Sequence, residues 1–393
     1  MTVYPLHGAT RAYAWGSRTA IAELQGRPAA EGPEAELWLG AHPGDPSTVP
    51  GPDGPVALNK LIAGDPGGQL GVRVVERFGD RLPYLMKVLA AGAPLSLQAH
   101  PDAAYAKAAY ARQELDPDAP KNYTDAHHKP EMLVALTPFE ALCGFRSPEV
   151  SAAVLSELNL PQLAPIVSVL RAGELAEAVR LLLTWPESDR DDLIEQVVAA
   201  ARKIPDDHPH TPSFVLAVDL AGYYPGDPGV LVALLLNLVW LQPGQAIWMP
   251  AGNLHAYLGG LGVELMASSD NVLRGGLTPK RVDVEELLRV LRFEVLEDPL
   301  LHPTEIAPGV TSWKVPVPDF ELYRVTLTED RPPMKLPGSG PRVILGASGD
   351  VHVGEEHGIP VEVRPGGAAY APASAGALTA AGVGVCFVAA VPA

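Results

Sequence analysis

Four short stretches of this 393-residue chain gather side chains able to hold a metal ion or move a proton. In the first, Leu95-Ser96-Leu97-Gln98-Ala99-His100, polar and apolar residues alternate. Successive strand residues point to opposite faces, so Ser96, Gln98 and His100 share one side, and Leu95, Leu97 and Ala99 the other. A solvated edge strand would alternate in the same way, but a Gln and a His two apart can also both reach one ion. The second stretch is His127-His128-Lys129-Pro130-Glu131-Met132. A residue before proline is pushed towards extended geometry, which sets Lys129 and Glu131 on a common side. The third places Gly244, Pro250 and Gly252 ahead of His255. A tight turn between two strands there would aim one imidazole inward, although a lone strand histidine can equally serve a core or a surface. The fourth runs from Gly262 to Lys280. Glu264 interrupts an apolar strand, which predicts a solvent-facing carboxylate. Arg274 precedes Gly275-Gly276, leaving the backbone free to carry a guanidinium to a ligand, and Arg274 with Lys280 would suit an oxyanion or phosphate. Taken alone, this last run also reads as a solvated loop.

Gln98, His100, Glu131 and His255 make a plausible ligand set with a position to spare. Three nitrogen or oxygen ligands and an open position fit catalytic zinc, and mixed sets also suit iron or manganese. Glutamine is an uncommon ligand, so its place stays open on geometry alone. One carboxylate against a dication leaves the site positive and attractive to an anion, in a chain whose formal charge is −17. That acidity repels phosphate backbones and anionic lipid heads and argues against nucleic-acid and membrane partners. The two cysteines, Cys143 and Cys386, cannot form a disulfide framework or a thiolate zinc site and are expected as buried structural thiols. The most apolar run, Val230 to Leu241, is about 12 residues against the ~20 a spanning helix needs. The first residues show no export signal, and a soluble cytoplasmic chain is expected.

The elements that must position these groups fall into three zones, in a length suited to two or three domains. Residues 1–146 are short apolar runs cut by Gly and Pro, read as strands and turns, with one helix at AAYAKAAYARQEL. Residues 147–226 read as helical, opening on Ser147-Pro148-Glu149. One helix there runs through LAPIVSVLRAGELAEAVRLLLTW, and Pro186 separates it from the next. Strands then return, broken by a helix over Val282–Phe293. The phrase P-G-x-A-x-aromatic-x-P-A occurs at Pro243–Ala251 and again at Pro365–Ala373, which suggests two related β-modules; only the first runs on into a histidine. The expected division is 1–146 plus 227–300 as the catalytic unit, 147–226 as a helical insertion, and 301–393 as a second module without metal.

The box ending in His255 resembles the second box of the cupin superfamily, small jelly-roll barrels with a metal in the mouth. Seven phrases in order widen the resemblance: AYAWGS (Ala12–Ser17), AELWLGAHP (Ala35–Pro43), LPYLMKVL (Leu82–Leu89), LSLQAHPD (Leu95–Asp102), HHKPEM (His127–Met132), PAGNLHAYL (Pro250–Leu258) and SSDNVLRGGLTPK (Ser268–Lys280). Together they are similar to the type I phosphomannose isomerase family. The resemblance implies a mainly β fold: a cupin-type jelly-roll catalytic domain, an inserted α-helical subdomain and a C-terminal jelly roll. It implies one zinc per chain on Gln98, His100, Glu131 and His255, and a monomer acting on a small sugar phosphate. The reaction implied is interconversion of mannose 6-phosphate and fructose 6-phosphate through a cis-enediol. Around the pocket it implies Trp15, Glu36, Ser96, Lys129, Tyr257, Glu264, Arg274 and Lys280, to which Asp270 is added. Lys129 is expected as base with Glu264 assisting, zinc-bound water and His128 being rivals. Arg274, Lys280 and Ser96 are expected at the phosphate, with Arg274 alternatively beside the reacting oxygens. Two other readings stand beside this one. An iron oxygenase would commonly carry H-x-H where this chain has Gln98-x-His100, and a non-catalytic cupin would bind a sugar phosphate without turnover.

Overall fold

The computed structural model describes residues 3–393 apart from 117, 119 and 331. Ten antiparallel strands between Ala9 and Arg274 form the first sheet body. Its axis is the long strand His255–Ala267, which belongs to two faces at once. The His255–Gly259 half pairs with Phe139–Phe145, and His255 also faces Gln98. The Gly260–Ala267 half pairs with Tyr84–Ala91 on one side and Glu131–Ala135 on the other. The register slips by one residue between Tyr257 and Gly259, and Gly260 takes a φ of 118°.

That bulge changes which residues face inward. A strand has a side-chain period of two, and one extra residue flips the faces beyond it. Before the bulge, Leu254, Ala256 and Leu258 pack with the helices, while Tyr257 faces the barrel interior. After it, Leu261, Val263 and Leu265 pack outward against the last sheet. His255, Tyr257 and Glu264 therefore share the interior despite their mixed parity. The neighbouring strands alternate more simply. Leu133 and Ala135 follow Glu131 inward, as Leu89 and Ala91 follow Lys87, while Met132, Val134, Met86 and Val88 face out.

The second sheet body has nine strands, spanning residues 304–391 with one exception. Tyr4–Leu6, at the start of the chain, pairs with Ala368–Ala371. Its outer face lies on the first body through Trp313, Phe320, Tyr370 and Phe387, all buried with Leu37, Met86 and Leu265. The echoed phrases take the same local form in the two bodies. Ala246–Met249 and Ala368–Ala371 are both strands, each entered through a glycine in left-handed geometry, Gly244 at φ 89° and Gly366 at φ 70°.

Helices lie between Pro148 and Ala233. Ser147 accepts the Val150 N–H and caps the first, with Pro148 in its opening turn. The stretch expected as one helix through Trp185 is two, Ala164–Arg171 and Leu175–Leu183. Gly173, at φ 80°, turns the chain between them. Val230–Ala233, expected as strand, closes a short helix, and the strand begins only at Leu236. The helix expected over 282–293 is confined to Val284–Val290, capped by Asp283. In the first zone, four short helices at Ala20–Leu24, Leu58–Gly64, Pro66–Leu70 and Val72–Phe78 replace expected turns and strands. Among the described residues no helix is long and apolar enough to cross a membrane.

Candidate metal centre and active site

His100, Glu131 and His255 converge at the inner end of the first barrel, each with a potential ligand atom within 4.8 Å of the others'. All three are buried, between 0% and 1% exposed. His100 Nδ1–H donates to the Asn271 carbonyl at 2.7 Å, and His255 Nδ1–H to the Asn253 carbonyl at 3.0 Å. A carbonyl can only accept, so each ring places its Nδ1–H behind and turns Nε2 inward. Those Nε2 atoms lie 3.3 and 3.2 Å from the same Glu131 Oε2. Burial outweighs the pull of Glu131 and takes His100 down to about 4, so its ring is neutral near pH 7. Burial alone would raise the Glu131 carboxyl, but the Lys129 ammonium and the two rings hold it well below the usual carboxylate range. Two imidazole Nε2 atoms and a carboxylate thus converge on one point, and His100 Nε2 has no hydrogen-bond partner. This donor set fits a divalent cation, with imidazoles oriented from behind by carbonyls as metal-ligating histidines are.

A cavity of about 650 Å³ opens outward from this cluster. Gln98 lines it beside Glu131, and its backbone stands opposite both His255 and Arg274. Its strand is only two residues long. Leu97 and Ala99 pack among the helices, whereas Leu95, expected with them, joins Tyr257 in the barrel interior. Lys129 reaches the cavity with Nζ 2.9 Å from Glu131 Oε1. Ser96, Trp15, Tyr257, Glu36 and Asp270 are also in its wall, as are Arg274 and Lys280. Burial lowers the Arg274 guanidinium from its ordinary value.

Glu264 departs from its expected surface position. It is 2% exposed and points into the cavity, because the bulge at Gly259 reverses the strand's faces. Tyr257 Oη–H donates to its Oε1 at 2.8 Å. The sequence reading missed the residue opposite it. Lys87 Nζ sits 2.9 Å from Glu264 Oε2 and 3.4 Å from Glu36 Oε1, buried in the cavity wall. Burial favours loss of its proton, but the two carboxylates outweigh burial and keep it an ammonium. Burial in turn raises the Glu264 carboxyl despite Lys87. The available signal was a lone lysine inside the apolar run Tyr84–Ala91, all eight residues of which are buried. Asn271, also missed, is fully buried; its side chain ties Thr124 and His127 together while its carbonyl holds His100. His128 does not line the cavity and instead faces Asp319 of the second body at 2.9 Å, which removes it as a base.

The geometry has recognisable relatives. The family described as phosphomannose isomerase type I, catalytic domain, matches residues 3–148. The mannose-6-phosphate isomerase of Escherichia coli is 34% identical over 384 residues, covering 95% of each chain. The human mannose-6-phosphate isomerase is 35% identical over 354 residues, 82% of this chain and 81% of its own. A zinc-bound crystal structure of a mannose 6-phosphate isomerase superposes with a TM-score of 0.91 at 30% identity over the whole of both chains. A variant of the phosphomannose isomerase from Salmonella typhimurium gives 0.92 at 31% identity, also end to end.

Proposed function

Because the chain belongs to the type I phosphomannose isomerase family, we propose that it interconverts mannose 6-phosphate and fructose 6-phosphate with one zinc ion. The observation that carries this reading is the buried His100–Glu131–His255 donor cluster at the end of a cavity walled by Lys87, Lys129 and Glu264. Gln98 is the fourth ligand in this reading. The zinc, when bound, acts as a Lewis acid on the sugar oxygens during transfer of a proton between C2 and C1.

The chain's own groups supply the rest. Lys129 Nζ, tied to the ligand carboxylate Glu131, is assigned to carrying the proton between the two carbons. Glu264 assists, since burial favours its protonated form and Tyr257 and Lys87 fix its two oxygens. Lys87 remains a cation and acts by field and by position. Arg274, Lys280 and Ser96 receive the 6-phosphate, since their charge and hydroxyl suit a dianion, and the oxygens at C1 and C2 are left to the metal. Trp15, Glu36 and Asp270 shape the wall that holds the open-chain sugar.

Fructose 6-phosphate formation from mannose 6-phosphate, followed before and after chelation and again with zinc restored, tests the reading. Activity that disappears with the chelator and returns with zinc is the expected result. A zinc-loaded protein that binds the sugar phosphate without turnover would overturn it in favour of a binding protein, and oxygen uptake with iron would favour an oxygenase.

A further inference from the structure

A second chamber of about 430 Å³ adjoins the first, with Arg274, Lys280 and Asp270 in the walls of both. Lys121 and Arg281 also line it. Four cations in one cleft are notable in a chain of net charge −17. Among the described residues, no hydrogen bond or ion pair engages the side chains of Arg274 and Lys280. Lys121 and Arg281 have long contacts only, Lys121 with the Gln113 carbonyl at 3.4 Å and Glu114 at 3.8 Å, and Arg281 with Asp283 at 3.4 Å, and they are themselves 58% and 70% exposed. Two carboxylates, Asp270 and Asp283, stand against the four cations and leave the chamber with an excess of positive charge. Asp283 accepts from the Glu286 N–H and the Asn122 amide as well as from Arg281, and Asp270 stands opposite His42. A single phosphate at Arg274 and Lys280 leaves Lys121 and Arg281 with these long contacts alone.

We propose that this chamber is a second anion subsite, in which Lys121 and Arg281 take the outer phosphate of a diphosphate whose inner phosphate lies on Arg274 and Lys280. The ligand class is a sugar or nucleoside diphosphate, and such a ligand competes with the substrate. The inference rests on the placement of the substrate's phosphate given above. A second phosphate adds two charge-assisted contacts whose cations are already gathered, so the gain over one phosphate is roughly tenfold in affinity.

Inorganic phosphate and pyrophosphate are the probes, each measured by calorimetry and as inhibitors of mannose 6-phosphate turnover, on the zinc-loaded protein and its Lys121→Ala/Arg281→Ala variant. Pyrophosphate is expected to compete with mannose 6-phosphate and bind roughly tenfold more tightly than phosphate. The double variant is expected to lose that advantage while keeping its phosphate affinity and its KM for mannose 6-phosphate. An equal preference for pyrophosphate in both proteins, as zinc withdrawal would produce, overturns the proposal, and so does no preference in the parent. Absence of mannose 6-phosphate turnover would instead defeat the functional reading, and the calorimetric comparison would still decide the subsite.

Discussion

At the scale of single residues, the candidate centre is a donor set that fits a divalent cation. His100 and His255 turn Nε2 to a carboxylate oxygen 3.3 and 3.2 Å away. Glu131→Gln is expected to abolish zinc retention, measured as metal content after desalting, together with isomerase activity. Asn271→Ala should lower zinc affinity by about 10–100-fold through the loop that orients His100, as loss of outer-shell support does elsewhere; a chelator titration reads this directly. Lys87 makes a different prediction. Breaking a buried ion pair by removing one partner costs about 3–5 kcal/mol, so Lys87→Met should lower the unfolding free energy by about that much in urea. Adding Glu264→Gln should recover part of the loss, because it removes the stranded charge. These residues differ in how legible they were. Spacing could group Ser96, Gln98 and His100, and could set Lys129 beside Glu131, since both inferences use only the strand period. Lys87 carries no spacing signal, and its role exists only because Glu36 and Glu264 arrive from strands about 50 and 180 residues away in the chain.

The strand His255–Ala267 is the element on which the site depends most. It brings His255 into the interior before its bulge and Glu264 after it, and it does so by changing faces at Gly259-Gly260. A Cβ at Gly260 would meet the Pro138 carbonyl at 2.6 Å, in a backbone conformation that L-residues rarely adopt. Gly260→Ala is therefore expected to cost about 1–3 kcal/mol, read as a lower Tm, and to weaken activity by separating Tyr257 from Glu264. Glu264 was expected in solvent because a lone carboxylate in an apolar strand usually faces water. Counting alternate residues from the outward Leu265 and Val263 places Glu264 inward, but nothing in the sequence marks which of the two faces is inside. Similar reasons govern the helices. Gly173 ends a helix by adopting left-handed geometry, which a glycine within a helical run does not announce. The four short helices of the first zone are too brief to show a 3.6-residue period.

For the whole molecule, the second sheet body serves as a platform for the first. Trp313 is fully buried where the two meet and stacks on Phe387. Trp313→Ala should cost about 3–5 kcal/mol by cavity formation, lowering the Tm while leaving KM for mannose 6-phosphate unchanged, since the residue does not line the catalytic cavity. The sequence showed the platform as a degenerate echo of one phrase. It could not show that the platform supports the outer faces of the strands carrying Lys87 and Glu131, because that contact is made by ordinary apolar residues.

The pairing of Tyr4–Leu6 with Ala368–Ala371 closes a loop of more than 360 residues. Every strand of the first body is synthesised before the partner of that N-terminal strand leaves the ribosome. Contacts of such long sequence separation form late and slow the overall rate. The Tyr4–Leu6 strand thus waits for this partner through the synthesis of more than 360 residues, and the platform is completed only after the strands of the first body exist.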